Sequence, residues 1–389
     1  MSGLRIGVNA HLLSFTPGYR RAGVSQYTEQ IVRGLAALAP EYGDHLTIFA
    51  EPTPPPPDYL SPVVQWRSSR LPTGYAPGRI LWEQAIAPFV VPSAHLDVLL
   101  CPVNVVPFAV SMPTVVTVHD LAFLTQPAAF VPAKRRYLTA MTRLSTRRAR
   151  HIIAVSAHTA ADLTRYFGVP ATKITVIPNA ADPAFRPPTD AADIAAFRAR
   201  EGLPELFILT VGTLEPRKNL RRLVDAFAQV APDLPGVSLV IIGAAGWRTS
   251  DLAPHVESLG LGERIRFAGY VENTALPQWY GAATVFCYPS LYEGFGLPPL
   301  EAMSCGTAVI TSNTSSLPEV VGDAAVTVNP TDTGALAAAL RDLLTDDAHR
   351  AALAAAGLVQ AKQFNWARAA AETRAVLADA AHGHEHGQG

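Results

Sequence analysis

Short apolar runs rich in β-branched residues alternate along the chain with longer segments rich in Ala, Leu and Arg. That alternation is the pattern of parallel strands joined by crossover helices. Six strands are predicted in the first half, over Arg5–Asn9, Leu46–Phe49, Asp97–Leu100, Thr114–His119, His151–Ser156 and Ile174–Ile177. Six more are predicted in the second, over Phe207–Gly212, Val237–Ile242, Arg264–Phe267, Thr284–Tyr288, Ala308–Thr311 and Ala325–Val328. The pattern predicts an α/β protein of two doubly wound, Rossmann-like parallel-sheet domains. Between the two sets lies PNAADPAFRPPTDAAD, Pro178 to Asp193, whose prolines and acids interrupt both periodicities. The predicted organisation is a first domain over 1–190, a second over 191–362, a helix over 363–381 and a tail over 382–389. The Pro-rich stretch Glu51 to Pro62 and the segment Leu71 to Pro77 read as irregular surface. The tail HGHEHGQG reads as a disordered end, with metal binding through His382, His384 and His386 as the alternative.

A length of 389 residues suits about two domains, each with its own core. The 31 Lys and Arg nearly cancel the 32 Asp and Glu, which argues against a dedicated nucleic-acid binder. Cys101, Cys287 and Cys305 lie far apart in or beside apolar stretches, without CxxC spacing, and are expected to be buried free thiols of a reducing compartment. The N-terminus has too short an apolar stretch for a signal peptide, and no run approaches the roughly 18 apolar residues needed to span a bilayer. A cytoplasmic protein is the expectation.

The most informative stretch is YPSLYEGFGLPPLEAMSCGTAVITS, where a buried strand ends at Tyr288 and a Gly-punctuated loop leads to a helix opening near Pro298. Ligands of open α/β sheets sit beyond the carboxyl ends of the strands. Gly294 and Gly296 allow close backbone approach, and Pro298 suits a first helical turn, whose free N–H groups favour a diphosphate. Glu293 and Glu301 bracket the loop, so both carboxylates are placed to accept hydrogen bonds from the vicinal hydroxyls of a sugar. Singly, Glu301 reads as dipole complementarity in a first turn and Glu293 as a solvated loop charge. In TVGTLEPRKNLRRLVDAF, Arg217 and Lys218 stand where a strand ending at Gly212 hands over to a helix with apolar Leu220, Leu223, Val224 and Phe227. Two cations there suit the neutralisation of a diphosphate leaving group, and equally a basic surface continuing through Arg221 and Arg222.

Elsewhere the signals are weaker. His119 and Asp120 follow the strand TVVTV, where a lone His is more often a structural hydrogen-bonding residue. The loop with Gly18 and Gly23 precedes an amphipathic helix opening near Ser25; it suits a phosphate or a plain turn, and is no GxGxxG fingerprint. GAAG, Gly243 to Gly246, also fails as a dinucleotide loop. GxxxxGK[ST], HExxH, GxSxG and Asp-x-Asp are all absent, so no metal or other cofactor is expected and Arg217 with Lys218 would take the charge-neutralising role.

With these residues in hand, the chain resembles the retaining GT-B glycosyltransferases of family 4. EGFGLPPLEAMSCGTAVI is similar to the family's paired-glutamate motif, GTLEPRKN to its phosphate-binding Arg and Lys, and FNWARAAAETRAVL to its terminal helix that crosses back to the N-terminal domain. The resemblance implies two domains facing a central cleft, the first for the acceptor and the second for a nucleotide-diphosphate sugar. It implies Glu301 on the ribose, Arg217 and Lys218 on the diphosphate, and Glu293 with Gly294, Phe295, Gly296 and Leu297 on the transferred hexose. His119 would sit beside the reacting carbon, and Asp120 and Ser156 on the acceptor side, although Ser156 reads better as a helix N-cap. The family's N-terminal glycine pair appears as Ala22-Gly23, so donor contacts are implied at Gly23 and Val24, and Val271 belongs to the implied base pocket around Gly269 to Glu272. Similarity to bacterial mannosyltransferases of surface polysaccharide synthesis makes GDP-mannose the first expected donor and UDP-glucose the second, with a glycan or lipid-linked acceptor. Two rival readings remain at this point: a nucleotide-sugar epimerase on the same architecture, and a silent sugar-nucleotide-binding partner of another transferase. The segment Lys134 to Arg150 carries seven cations and no acid. It reads as a solvated basic helix face, or as a peripheral contact with an anionic membrane.

Overall fold

The computed structural model describes residues 3–16, 18, 23–59, 61–244 and 251–383. Ala22 of the N-terminal loop, Gly246 of GAAG, and His384 and His386 of the tail therefore lie outside the described residues. Contacts divide the chain into two units, the first formed by Met1–Leu124, Phe130–Asn179 and Asn365–Gly389, the second by Thr125–Ala129 and Ala180–Phe364.

The first unit holds a parallel sheet of seven strands: β1 (Arg5–Asn9), β2 (His45–Ala50), β3 (Val64–Ser68), β4 (Val98–Cys101), β5 (Thr114–Val118), β6 (His151–Ala154) and β7 (Ile174–Val176). Their order is β3-β2-β1-β4-β5-β6-β7. β3 is an addition to the six strands expected from sequence. It is a half-exposed edge strand paired only with β2, so it carries neither a continuous apolar run nor a clean alternation, and the preceding prolines mask it.

The second unit holds six parallel strands, β8 (Leu206–Val211), β9 (Val237–Ile242), β10 (Ile265–Gly269), β11 (Val285–Tyr288), β12 (Ala308–Ser312) and β13 (Val326–Val328), in the order β10-β9-β8-β11-β12-β13. Phe207, Leu209 and Val211 pack on one face of this sheet and Ile208 on the other, each within a separate apolar cluster. Both faces are thus covered, which is why the strands read as apolar runs. The helix Leu220–Val230 buries Leu220, Leu223, Val224, Phe227 and Val230, the stripe its helical period predicts. Asn219 opens it in a left-handed conformation that asparagine tolerates (φ 58°), and its side-chain amide donates to the carbonyls of Pro289 and Pro330 at 3.0 and 2.7 Å.

The division falls at Asn179/Ala180, about ten residues earlier than the expected 190. The linker is not free surface: Phe185 is buried in the core of the second unit, edge-on to Tyr280 at 5.8 Å. The second unit runs to Phe364, and the chain then returns to the first through the helix Trp366–His382, capped by the Asn365 side chain. This helix packs on the helix Val24–Tyr42 closely enough that a Cβ on Gly34 would stand 2.3 Å from that of Ala370. The buried Asp44 carboxylate accepts from Arg374 at 2.7 and 3.1 Å. Cys101, Cys287 and Cys305 are buried and free, and no described helix is long and apolar enough to cross a membrane.

Candidate active site

In the second unit the carboxyl ends of β8 and β11 bring Arg217, Lys218 and Glu293 into one cluster. β8 leads through a short turn, Pro216–Lys218, that carries both cations. β11 ends at Tyr288 and leads to Glu293. Glu293 Oε1 accepts from Lys218 Nζ at 2.6 Å, from the Tyr288 hydroxyl at 2.9 Å and from Ser290 Oγ at 2.6 Å, while Oε2 accepts from Arg217 Nη1 at 2.5 Å. Lys218 also donates to the Tyr288 hydroxyl, and Arg217 Nε pairs with Glu215 at 2.6 Å. Two cations thus face two carboxylates.

Glu293 is no solvated loop charge, being only 8% exposed. Burial pushes its carboxyl up, but the Arg217 and Lys218 charges, with hydrogen bonds from Lys218 and Ser290, hold it at about 2. Burial and the neighbouring Arg217 charge lower Lys218 from the usual lysine range, against the pull of Glu293.

The loop after Glu293 is held from β12 outward. Ser315 Oγ accepts from the Glu293 amide at 3.1 Å, and Ser316 Oγ donates to the carbonyls of Glu293 and Phe295 at 3.0 and 2.6 Å. Gly294 is buried, and Phe295 stacks edge-on with Phe364 at 5.6 Å. Gly296 caps the helix Leu297–Ser304 at φ 124°, where an added Cβ would meet Leu317 at 2.9 Å. Leu297 is the first residue of that helix, so Glu301 falls in its second turn and not its first. Dipole complementarity therefore does not explain Glu301. It is buried on a separate partner, accepting from the Tyr280 hydroxyl at 2.9 Å. Burial raises its carboxyl to about 7, helped by the Asp182 charge and opposed by that hydrogen bond. Val271, two residues beyond β10, is partly buried against the core of this unit.

In the first unit, His119 directly follows β5. Its Nε2 lies 2.8 Å from the Pro102 carbonyl, which can only accept, so Nε2 carries hydrogen and Nδ1 the lone pair of the neutral ring. Burial lowers its basicity, keeping it neutral, and Tyr27 packs edge-on against it at 4.7 Å. Asp120 Oδ1 accepts from the Ala122 amide at 3.0 Å, and Ser156 caps the helix Ala157–Phe167 by accepting from Thr159 N at 3.0 Å. Both are engaged in local turn and cap contacts. Gly23 adopts φ 59° immediately before Val24, the first residue of the helix Val24–Tyr42. Among the described residues, no three His, Cys, Asp or Glu side chains are grouped to hold a metal.

Sequence reading missed Tyr288, Ser290, Tyr280, Glu215, Ser315 and Ser316. Only Tyr288, at the last position of its strand, carried a positional signal; the others are ordinary polar residues until the fold collects them.

Two family models match: Glycosyltransferase Family 4 over residues 21–185 and Glycosyl transferases group 1 over residues 193–359. The O-antigen chain mannosyltransferase B of Escherichia coli is 38% identical over 261 residues, 67% of this chain and 68% of that protein. The serotype-specific mannosyltransferase WbdA of Escherichia coli is 34% identical over 267 residues, 66% of this chain but only 32% of that longer protein. Among solved structures, the sucrose-phosphate synthase of Thermosynechococcus elongatus superposes with a TM-score of 0.78 at 25% identity, over 96% of this chain and 98% of that one. Two parallel-sheet units, the charge cluster at the carboxyl edge of the second and these matches agree: the protein belongs to the GT-B glycosyltransferases of family 4 and resembles the O-antigen mannosyltransferases.

Proposed function

We propose that this glycosyltransferase moves mannose from GDP-mannose to a glycan or lipid-linked acceptor in polysaccharide synthesis, with retention of anomeric configuration and without a metal. UDP-glucose is the second donor candidate. The observation that carries this reading is the buried Arg217–Lys218–Glu293 cluster at the carboxyl edge of the second sheet. The similarity to a mannosyltransferase supports the choice of sugar.

On this reading Glu293 acts as an internal counter-ion to Arg217 and Lys218 before the donor binds. A donor diphosphate takes over Arg217 and Lys218, and the released carboxylate accepts hydrogen bonds from hydroxyls of the sugar. As the anomeric carbon becomes oxocarbenium-like, negative charge grows on the departing phosphate oxygen, and the two cations stabilise it more than the ground state. The acceptor hydroxyl attacks from the face the phosphate leaves. Its proton passes to the phosphate oxygen, so no enzyme nucleophile is required. In the first unit, the lone pair on His119 Nδ1 makes that ring an acceptor suited to a hydroxyl donor. The basic face of the helix Pro132–Arg148 is the part of the first unit suited to an anionic membrane or a lipid-diphosphate acceptor.

Thermal-shift titration tests the donor. At about 100 times its dissociation constant, GDP-mannose should add roughly 2.7 kcal/mol of stability. A shift with UDP-glucose alone selects the second donor, and no transfer from either overturns the proposal. NMR of the product linkage reads retention, and turnover should persist in excess chelator.

Glu301 supplies a pH test. If it holds the ribose as a carboxylate, donor affinity should rise about tenfold between pH 6 and pH 8, as a group titrating near 7 becomes ionised. Glu301→Gln should flatten that profile; a wild-type-like slope in the variant removes Glu301 from donor binding. Because folding raises this carboxyl above its ordinary value of 4.5, its contribution to stability is full below pH 4.5 and is lost as pH rises towards 7.

A further inference from the structure

The amino-terminal edge of the first sheet, opposite the edge that carries His119, holds an open groove of about 450 Å³. Ser111, Pro113, Arg148, Arg150 and Lys173 line it, together with Met112 and Ala149. Three of these are cations and none is an acid. Arg150 immediately precedes β6, Lys173 immediately precedes β7, and Pro113 leads into β5, so the groove is assembled from three strand entries.

Several cations elsewhere in the chain are neutralised directly. Arg5, Arg217, Arg341, Arg350 and Arg374 each face a carboxylate within 3.0 Å. By contrast, Arg148 donates to the carbonyls of Phe108 and Val110, Arg150 to that of Gly383 at 2.6 Å, and Lys173 to that of Arg147 at 3.0 Å. Main-chain carbonyls orient a cation but leave its charge uncompensated. Among the described residues none of the three has a carboxylate hydrogen-bond partner. The Arg150 amide is itself pinned to the Thr114 carbonyl at 2.7 Å. Three oriented, unneutralised charges in a chain of net charge −1 form a preorganised anion site, because the cost of gathering like charges is met by the fold before any ligand arrives.

The groove also continues a longer positive surface. On the helix Pro132–Arg148, Lys134, Arg136, Arg143 and Arg147 are exposed, again without a carboxylate partner among the described residues. Its last turn carries Arg148 into the groove, with Arg147 next to it in the chain.

The geometry points to a second anion site in this protein: the Arg148–Arg150–Lys173 groove binds a phosphate-bearing group, apart from the donor cluster of the second unit. The phosphate is carried either by a soluble molecule or by a lipid headgroup. The site does not depend on which sugar or donor base the enzyme uses.

The test uses the full chain carrying Lys218→Ala, which weakens phosphate binding at the donor cluster. Inorganic pyrophosphate is titrated calorimetrically, and co-sedimentation is measured with vesicles of phosphatidylcholine alone or mixed with phosphatidylglycerol. Adding Arg150→Gln and Lys173→Gln should weaken binding of at least one probe about tenfold or more, and the remaining binding should fall with added salt. Pyrophosphate binding without vesicle binding identifies a soluble source; binding only to the phosphatidylglycerol vesicles identifies a lipid. Equal binding of both probes with and without the two substitutions overturns the site, as does failure of both probes to bind the Lys218→Ala chain. Arg150→Gln and Lys173→Gln made singly cover the case in which the pair unfolds. In the otherwise native chain, the double substitution should leave GDP affinity unchanged, so failure of this site is distinguishable from failure of the donor reading.

Discussion

Lys218→Ala should reduce transfer by about 2–4 kcal/mol of transition-state stabilisation, roughly 30- to 1,000-fold in turnover. The ammonium is buried, donates to Glu293 and Tyr288, and stands with Arg217 at the carboxyl edge of the sheet. A cation there is worth most when charge on the leaving phosphate is greatest, so kcat should fall more than KM rises. The fold should survive, because Glu293 keeps Arg217, Ser290 and the Tyr288 hydroxyl as partners. Single-turnover rates with a saturating donor, beside a melting curve, separate the two effects. Unchanged turnover would remove Lys218 from the mechanism.

Glu293→Gln should have the largest effect on stability. It leaves Arg217 and Lys218 facing only Glu215 across a buried site, and removing one partner of a buried ion pair costs about 3–5 kcal/mol. Urea unfolding measures this directly. The loss should be partly restored by GDP, whose phosphates replace the missing counter-charge, so GDP should stabilise the variant more than the wild type. Equal stabilisation of both would contradict the exchange of carboxylate for diphosphate. The native chain adds a pH signature. Folding lowers the Glu293 carboxyl from 4.5 to about 2, so its contribution to stability is full above pH 4.5 and is lost as pH falls towards 2. The variant should lack that segment of the acid-unfolding curve.

Much of this was legible before the fold was known, and the reasons differ by element. Strands buried on both faces announce themselves as apolar runs, and the part-exposed edge strands β7, β10 and β13 still carry β-branched or apolar residues, so twelve of the thirteen lie where expected. β3, VQWRS, escaped because Gln65, Arg67 and Ser68 break any apolar or β-branched run. Prolines and acids over 178–193 suggest a connection between domains with its boundary near 190, whereas Phe185 already plugs the second core. Pro298 suggests a helix opening there, with Glu301 in its first turn; Gly296 caps the helix one residue earlier than that reading requires.

By itself the sequence determined the two-sheet plan, the placing of Arg217, Lys218, Glu293 and Glu301 after strand ends, and the glycine at 296. These follow from periodicity and backbone chemistry, which are local. Only the tertiary structure decided the state of those residues. Glu293 is ionised against two cations that precede it by more than seventy positions, while Glu301, in the second turn of the helix that follows, sits beside Tyr280 with its carboxyl raised to about 7. Charge state depends on burial and on partners distant in sequence, and neither is encoded in local pattern.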